Sequence, residues 1–320
     1  LSRYETSRGC YRHETDLARP WNVRAILILI LGLRSCFAQE AETLIEAGHW
    51  KRARALVEQR LHDAPDDPNA TFLWSQIRNA FGDRSSPLPL AEKAVRLAPG
   101  VARYHRQLAE VLGVTAQHAN VFQQALLARR FRKEIDTALQ LDARDVQALR
   151  DLLEFYLLAP GIIGGDAAKA ETVARRVAEI DACEGLLASA RIAEYRKDHQ
   201  EQLRLLRRAA EMRPASYKAL MAAAHRDEAS AEALARAAIA IDSGRAEAYC
   251  VLARILAHRA DWNALDALLA AAAEAVPDDA APYYRAAATI AADGRDPVRA
   301  ERYLHVYRSQ EPEGNHGAGN

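Results

Sequence analysis

The stretch PGIIGGD, made of Pro160, Gly161, Ile162, Ile163, Gly164, Gly165 and Asp166, is where residue types most invite a chemical role. Glycine N–H groups at the start of a helix could hold an anion. No GK[ST] follows, however, so the phosphate-loop pattern is absent. Beyond residue 38 the histidines are His49, His62, His105, His118, His199, His225, His258, His305 and His316, and none has metal-ligand spacing. HExxH, CxxC and G-x-S-x-G are missing, as is a GxGxxG after a strand. Cys183 and Cys250 fall in separate helical stretches among small or apolar neighbours, and read as buried free thiols. With no convergent constellation of reactive groups, the chain reads as a non-enzyme without metal or organic cofactor.

Around these residues the composition favours helix almost throughout. Of the 320 residues 50% are hydrophobic but only 7% aromatic, alanine dominates, and β-branched runs are scarce. Formal charge is zero, which removes any global attraction to nucleic acid or to an anionic membrane, so a membrane is a partner only if Cys36 carries lipid. The basic cluster RRFRKE at 129–134 has acids near it and no interleaved aromatics, and reads as a solvated helix face. The excess of alanine, and of arginine over lysine, fits a GC-rich bacterial genome.

The beginning of the chain reads as an address. From Val23, one arginine precedes an apolar run from Ala25 to Leu33, followed by a short polar stretch ending Cys36-Phe37-Ala38. Charged, apolar and small-residue segments in that order make a secretory signal, and the run is too short to span a bilayer. The expectation is a signal at 23–38 cleaved after Ala38, translation starting at Val23, and residues 1–22 untranslated or disordered. A second reading makes Leu33-Arg34-Ser35-Cys36 a lipoprotein box, with lipid on Cys36.

Repeats set the fold class. Second helices end at Pro65, Pro99, Ala143, Ala182, Pro214, Ser243, Pro277 and Pro312, spaced by 34, 44, 39, 32, 29, 34 and 35 residues. Two helices per period of about 34 residues make a solenoid whose units bury their faces only by stacking. In residues 246–279, Tyr249, Leu252, Ala253 and Leu256 mark a first helix, and Leu269, Ala272 and Pro277 a second. This unit resembles the tetratricopeptide repeat by residue type at nearly every place. The resemblance covers about residues 40–312 and implies an all-α, right-handed superhelix of antiparallel helix pairs. We expect about fourteen helices in seven to eight units over 39–312, no sheet, and a disordered tail at 313–320. The pair at 102–143 should be longest, since ten extra residues lie between Gly113 and Ile135. GIIGG should be an elongated turn in which Gly164 and Gly165 take positive φ, the isoleucines pack on an adjacent unit, and Asp166 caps the next helix. The long pair followed by an AP-G-x-x-GG loop is similar to secreted bacterial repeat proteins of unassigned function. That similarity implies a periplasmic interaction protein and supplies no catalytic residue.

In such a superhelix the first helices line the concave groove. Their outward faces carry Arg106, Arg150, Arg191, Lys218, Arg254 and Arg285, a basic ladder suited to an acidic segment or a C-terminal carboxylate. The lysine-and-asparagine clamp of chaperone-tail-binding relatives is not reproduced. Two functions remain open. One is a periplasmic scaffold that binds a peptide or protein in the groove; the other is an accessory or ligand-binding subunit of an envelope transporter or enzyme.

Overall fold

The computed structural model describes residues 39–310; the readings made for residues 1–22, 23–38, Cys36 and 313–320 lie outside the described residues. Sixteen α-helices and one short 3-10 turn make up this region, with no β-strand among the described residues. They pair as α1 (39–47) with α2 (Trp50–Asp63), α3 (Pro68–Ala80) with α4 (Pro87–Leu97), and α5 (Ala102–Gln117) with α6 (Val121–Leu141). Next come α7 (Val146–Leu158) with α8 (Ala167–Ile180), α9 (Ala182–Tyr195) with α10 (His199–Glu211), and α11 (Tyr217–Ala224) with α12 (Ala231–Ile241). The last two pairs are α13 (Ala246–Arg259) with α14 (Trp262–Ala275), and α15 (Ala281–Asp293) with α16 (Pro297–Ser309). The helix total exceeds the expected fourteen because every unit, the opening one included, forms both of its helices.

Local chemistry explains the boundaries. Asp67, Asp145, Asp166, Asp181, Asp198, Asp261 and Asp296 each accept a backbone N–H at the start of the helix they precede. Such a carboxylate satisfies donors that have no partner within the helix and complements the positive end of its dipole. Pro65, Pro99 and Pro277 lie two residues beyond α2, α4 and α14, where a proline resists continued winding. Asp181 alone separates α8 from α9, ending one helix and capping the other.

Alanine sets how closely the helices approach. Ala53, Ala70, Ala94, Ala109, Ala138 and Ala148 are all fully buried, as are Leu73, Leu112, Leu149 and Leu265. The tightest approach among the described glycines that involves two helices is at Gly185 of α9, where a β-carbon would lie 2.3 Å from Ala178 Cβ and 2.5 Å from its Cα. Only a residue without a side chain fits there. Gly185→Ala should lower stability by about 1–3 kcal/mol through overpacking, while Ser189→Ala one turn away should cost far less. Denaturant melts of the two variants check this: equal midpoints would mean that α8 and α9 can separate freely.

The longest pair is α5 with α6, at 16 and 21 residues, as the ten extra residues predict. It is followed by GIIGG, where Gly164 has φ +112° but Gly165 does not have positive φ. Gly165 is needed for another reason: a β-carbon there would fall 1.7 Å from the Ala159 carbonyl oxygen. The isoleucines also diverge. Ile163 packs into the α6–α8 core, whereas Ile162 is 93% exposed.

The superhelix returns on itself. His49 Nδ1, in the turn between α1 and α2, lies 2.7 Å from Asp278 Oδ1 before α15. Beside it, Lys51 Nζ donates to the Gln310 carbonyl at 2.5 Å. The first unit therefore touches the last, with more than 220 residues of chain between the paired groups.

Candidate functional site

The glycine loop has little to offer an anion. Three of its N–H groups are turned inward: Ile163 and Gly165 donate to the Pro160 carbonyl, and Gly164 donates to that of Gly161. At the start of α8 the Asp166 carboxylate already accepts from Ala168 and Lys169. Asp166 N–H closes the loop on the Tyr156 carbonyl at 2.8 Å. The loop is a self-contained turn whose helix start is filled by its own carboxylate.

Helices α7, α9, α11, α13 and α15 touch one another in turn, and with α5 they carry the six ladder cations. Four of them have acidic partners. Arg106 lies 3.8 Å from Glu110 on the same helix. Arg150 donates to Glu184 at 3.2 Å, and Lys218 donates to the same carboxylate at 2.7 Å. Arg191 grips Glu154 with two bonds of 2.8 and 2.9 Å and lies 3.6 Å from Glu194, which also accepts from Arg226. Three helices, α7, α9 and α11, are thus laced by alternating charge. The ladder read from cations alone is here a largely neutralised lattice, because Glu154, Glu184 and Glu194 stand on the same face.

One end of this lattice is under electrostatic stress. Burial pushes the carboxyl of Asp151 up, with Arg106 nearby pulling the other way. Asp151 is raised to about 6, with repulsion from Glu110 adding to the effect of burial. One of the two Asp151 carboxylate oxygens is buried without a hydrogen-bond partner. The folded chain therefore binds a proton at Asp151 more tightly than the unfolded chain does. Stability from this group is greatest below the ordinary carboxylate range and is lost as pH rises through about 6. Asp151→Asn should gain on the order of 2 kcal/mol over wild type at pH 7.5, with the advantage shrinking toward pH 4. Denaturant melts across that range test it, and a difference independent of pH would show that the carboxylate is not desolvated.

Arg254 on α13 and Arg285 on α15 differ from the other four. Among the described residues neither has an ion-pair or hydrogen-bond partner for its guanidinium. Both line a cavity of about 620 Å³ between the α1–α2 turn and the inner faces of α13 and α15. Ile45, Gly48 and Trp50 form one wall. Of the cavity's acids, Glu247 is bonded to His225 at 2.9 Å, Asp279 accepts the Ala281 N–H at 2.8 Å, and Glu46 is exposed. Cys250 also borders the cavity, its thiol pushed up to about 12 by burial and the neighbouring acids. Both Cys183 and Cys250 are free. Four histidines, His49, His105, His225 and His258, each bond a carboxylate, and no cluster of metal-ligating side chains occurs among the described residues.

The cavity's apolar wall comes from a turn more than 200 residues from Arg254, and no local periodicity points to it. The cross-helix acids did leave a signal. Glu184 is 34 residues from both Arg150 and Lys218, close to one repeat period, and that spacing sets the side chains on equivalent faces of neighbouring units.

No family model matches the chain, and no curated protein matches it. Solved structures do. A thermophilic tetratricopeptide-repeat protein of Thermus thermophilus superposes with a TM-score of 0.52 at 17% identity, covering 60% of this chain and 97% of that one. The Pseudomonas aeruginosa protein pilF gives a TM-score of 0.42 at 12% identity, over 67% of this chain and 94% of that one. YrrB, described as a tetratricopeptide protein with an unusual peptide-binding site, gives 0.36 at 16% identity, over 58% and 89%. This chain is an all-helical solenoid of the tetratricopeptide type, the class that its proline-ended period implies.

Proposed function

We propose that the protein is an exported interaction scaffold that holds an acidic segment of a peptide or protein in its concave groove, with Arg254 and Arg285 as the charged contacts. One observation carries this reading. On a face where the other ladder cations are neutralised, two guanidiniums on adjacent helices have no partner among the described residues and border a cavity with an apolar wall. Guanidiniums bind carboxylates with two aligned bonds, and Trp50 offers an aromatic surface to a flanking apolar side chain. The stacked helices supply a rigid platform, and the chemistry asked of it is recognition.

The test is fluorescence anisotropy with a labelled peptide of glutamates interspersed with leucine. Arg254→Glu with Arg285→Glu should weaken binding by at least about tenfold and flatten its dependence on salt. Arg191→Gln, which disturbs an already neutralised pair, should have a much smaller effect. Equal losses from both changes would place binding elsewhere on the groove. Export is a separate part of the proposal, supported by the charged-apolar-small order of residues 23–38. Mass spectrometry of the exported protein should find a chain beginning at Gln39, or a lipid on Cys36; a mature chain that keeps Val23 would defeat both.

A further inference from the structure

Helix α6 has two opposed faces. Ile135 and Ala138 are fully buried, and Leu127 and Phe131 pack beside them against neighbouring helices. On the other side, at positions i, i+4, i+7 and i+11, stand Phe122, Leu126, Arg129 and Lys133. Phe122 is 90% exposed, Leu126 68%, and Val121 at the helix start 77%. The whole first turn of α6, residues 121–124, is exposed, so this end of the longest hairpin stands clear of its neighbours. Burial in this chain's core does not account for these apolar residues.

The cations that follow them are also unengaged. Among the described residues no ion pair or hydrogen bond engages the cationic side chain of Arg129 or Lys133. The carboxylates nearby are already used: Glu92 binds Arg130 at 2.6 Å, Asp136 binds Arg132 at 2.9 Å, and Glu134 pairs with His105 at 2.7 Å. Whatever covers this ridge has to bring negative charge as well as an apolar medium.

We propose that this face of α6 docks on a lipid surface bearing anionic headgroups, with Phe122, Leu126 and Val121 at the acyl boundary and Arg129 and Lys133 among the headgroups. The order along the helix suits that occupant. Seven residues separate Phe122 from Arg129, about 10 Å along the axis, comparable with the roughly 5–10 Å to which interfacial helices sink their apolar side. A tilted α6 would set the apolar end and the cations at their proper depths together, with the long cationic side chains reaching outward. A second copy of the chain fits poorly, since self-docking would bring four cations together with no free carboxylate between them.

The experiment uses the full chain with Phe122→Trp, read as the difference spectrum from wild type so that other membrane-seeking segments do not contribute. Vesicles of phosphatidylglycerol and phosphatidylcholine in equal parts should shift emission of the introduced indole to the blue and allow its quenching by brominated acyl chains. Pure phosphatidylcholine vesicles should do so at least about tenfold more weakly. Adding Arg129→Glu and Lys133→Glu should weaken the response to anionic vesicles by about tenfold or more, with circular dichroism unchanged. The proposal is overturned if the introduced indole ignores anionic vesicles, as expected when the ridge serves a protein partner. It is equally overturned if neutral vesicles act as strongly, if the charge reversal has no effect, or if the shift follows protein concentration without lipid, which marks a second copy.

Discussion

Everything in this molecule depends on the fact that no helix pair can bury its own apolar face. Alanine-rich helices offer little apolar area apiece, so burial comes from bringing backbones close together across unit boundaries. Gly185 against Ala178 is the limiting case: two helices approach until a single methyl group would not fit. Close approach fixes the rotation of each helix about its axis. That in turn fixes which residues of the odd helices face the groove. The groove is therefore a by-product of core packing, and its side chains are placed as accurately as the core.

Closure of the solenoid alters its mechanics. In an open array each repeat meets only its neighbours, and the ends fray first. Here the His49–Asp278 contact ties the first unit to the start of the last, and the Lys51–Gln310 contact ties it to the end. The second contact ends on a backbone carbonyl, so it depends on the turn that caps α16 at Gln310. The cavity at Arg254 and Arg285 exists only while the α1–α2 turn stays in place. Loosening either end of the chain would open the wall that Trp50 provides.

What the sequence reveals follows the range of the interactions. Helix ends are legible because they are set by the capping aspartates and by prolines a residue or two away. The fold class is legible because the same period recurs along the whole solenoid. GIIGG is a turn, as its composition implies, yet Gly165 is a glycine for a different reason from the expected one: clash with the Ala159 oxygen, not positive φ, demands it. The ladder shows the limit of reading one sign of charge. Register identifies its cations, but most of their acids belong to neighbouring units, and only spacing by the repeat period pairs them. The closing wall of the cavity is out of reach, since it depends on the accumulated twist of eight units.

Neutralising most of the groove while leaving two guanidiniums free has a consequence for selectivity. A fully basic ladder would attract any polyanion at long range and fix none in register. Carboxylates already bound between α7, α9 and α11 would have to be displaced by an incoming acid, with little net gain for the exchange. At Arg254 and Arg285 no carboxylate among the described residues has to be displaced. Under the proposed function, affinity for a carboxylate would be concentrated at Arg254 and Arg285, beside the apolar wall. The interhelical ion pairs contribute modestly to stability at best, being partly exposed. The larger effect of the ladder's ion pairs is to neutralise Arg106, Arg150, Arg191 and Lys218, which leaves Arg254 and Arg285 as the ladder cations without a described acidic partner.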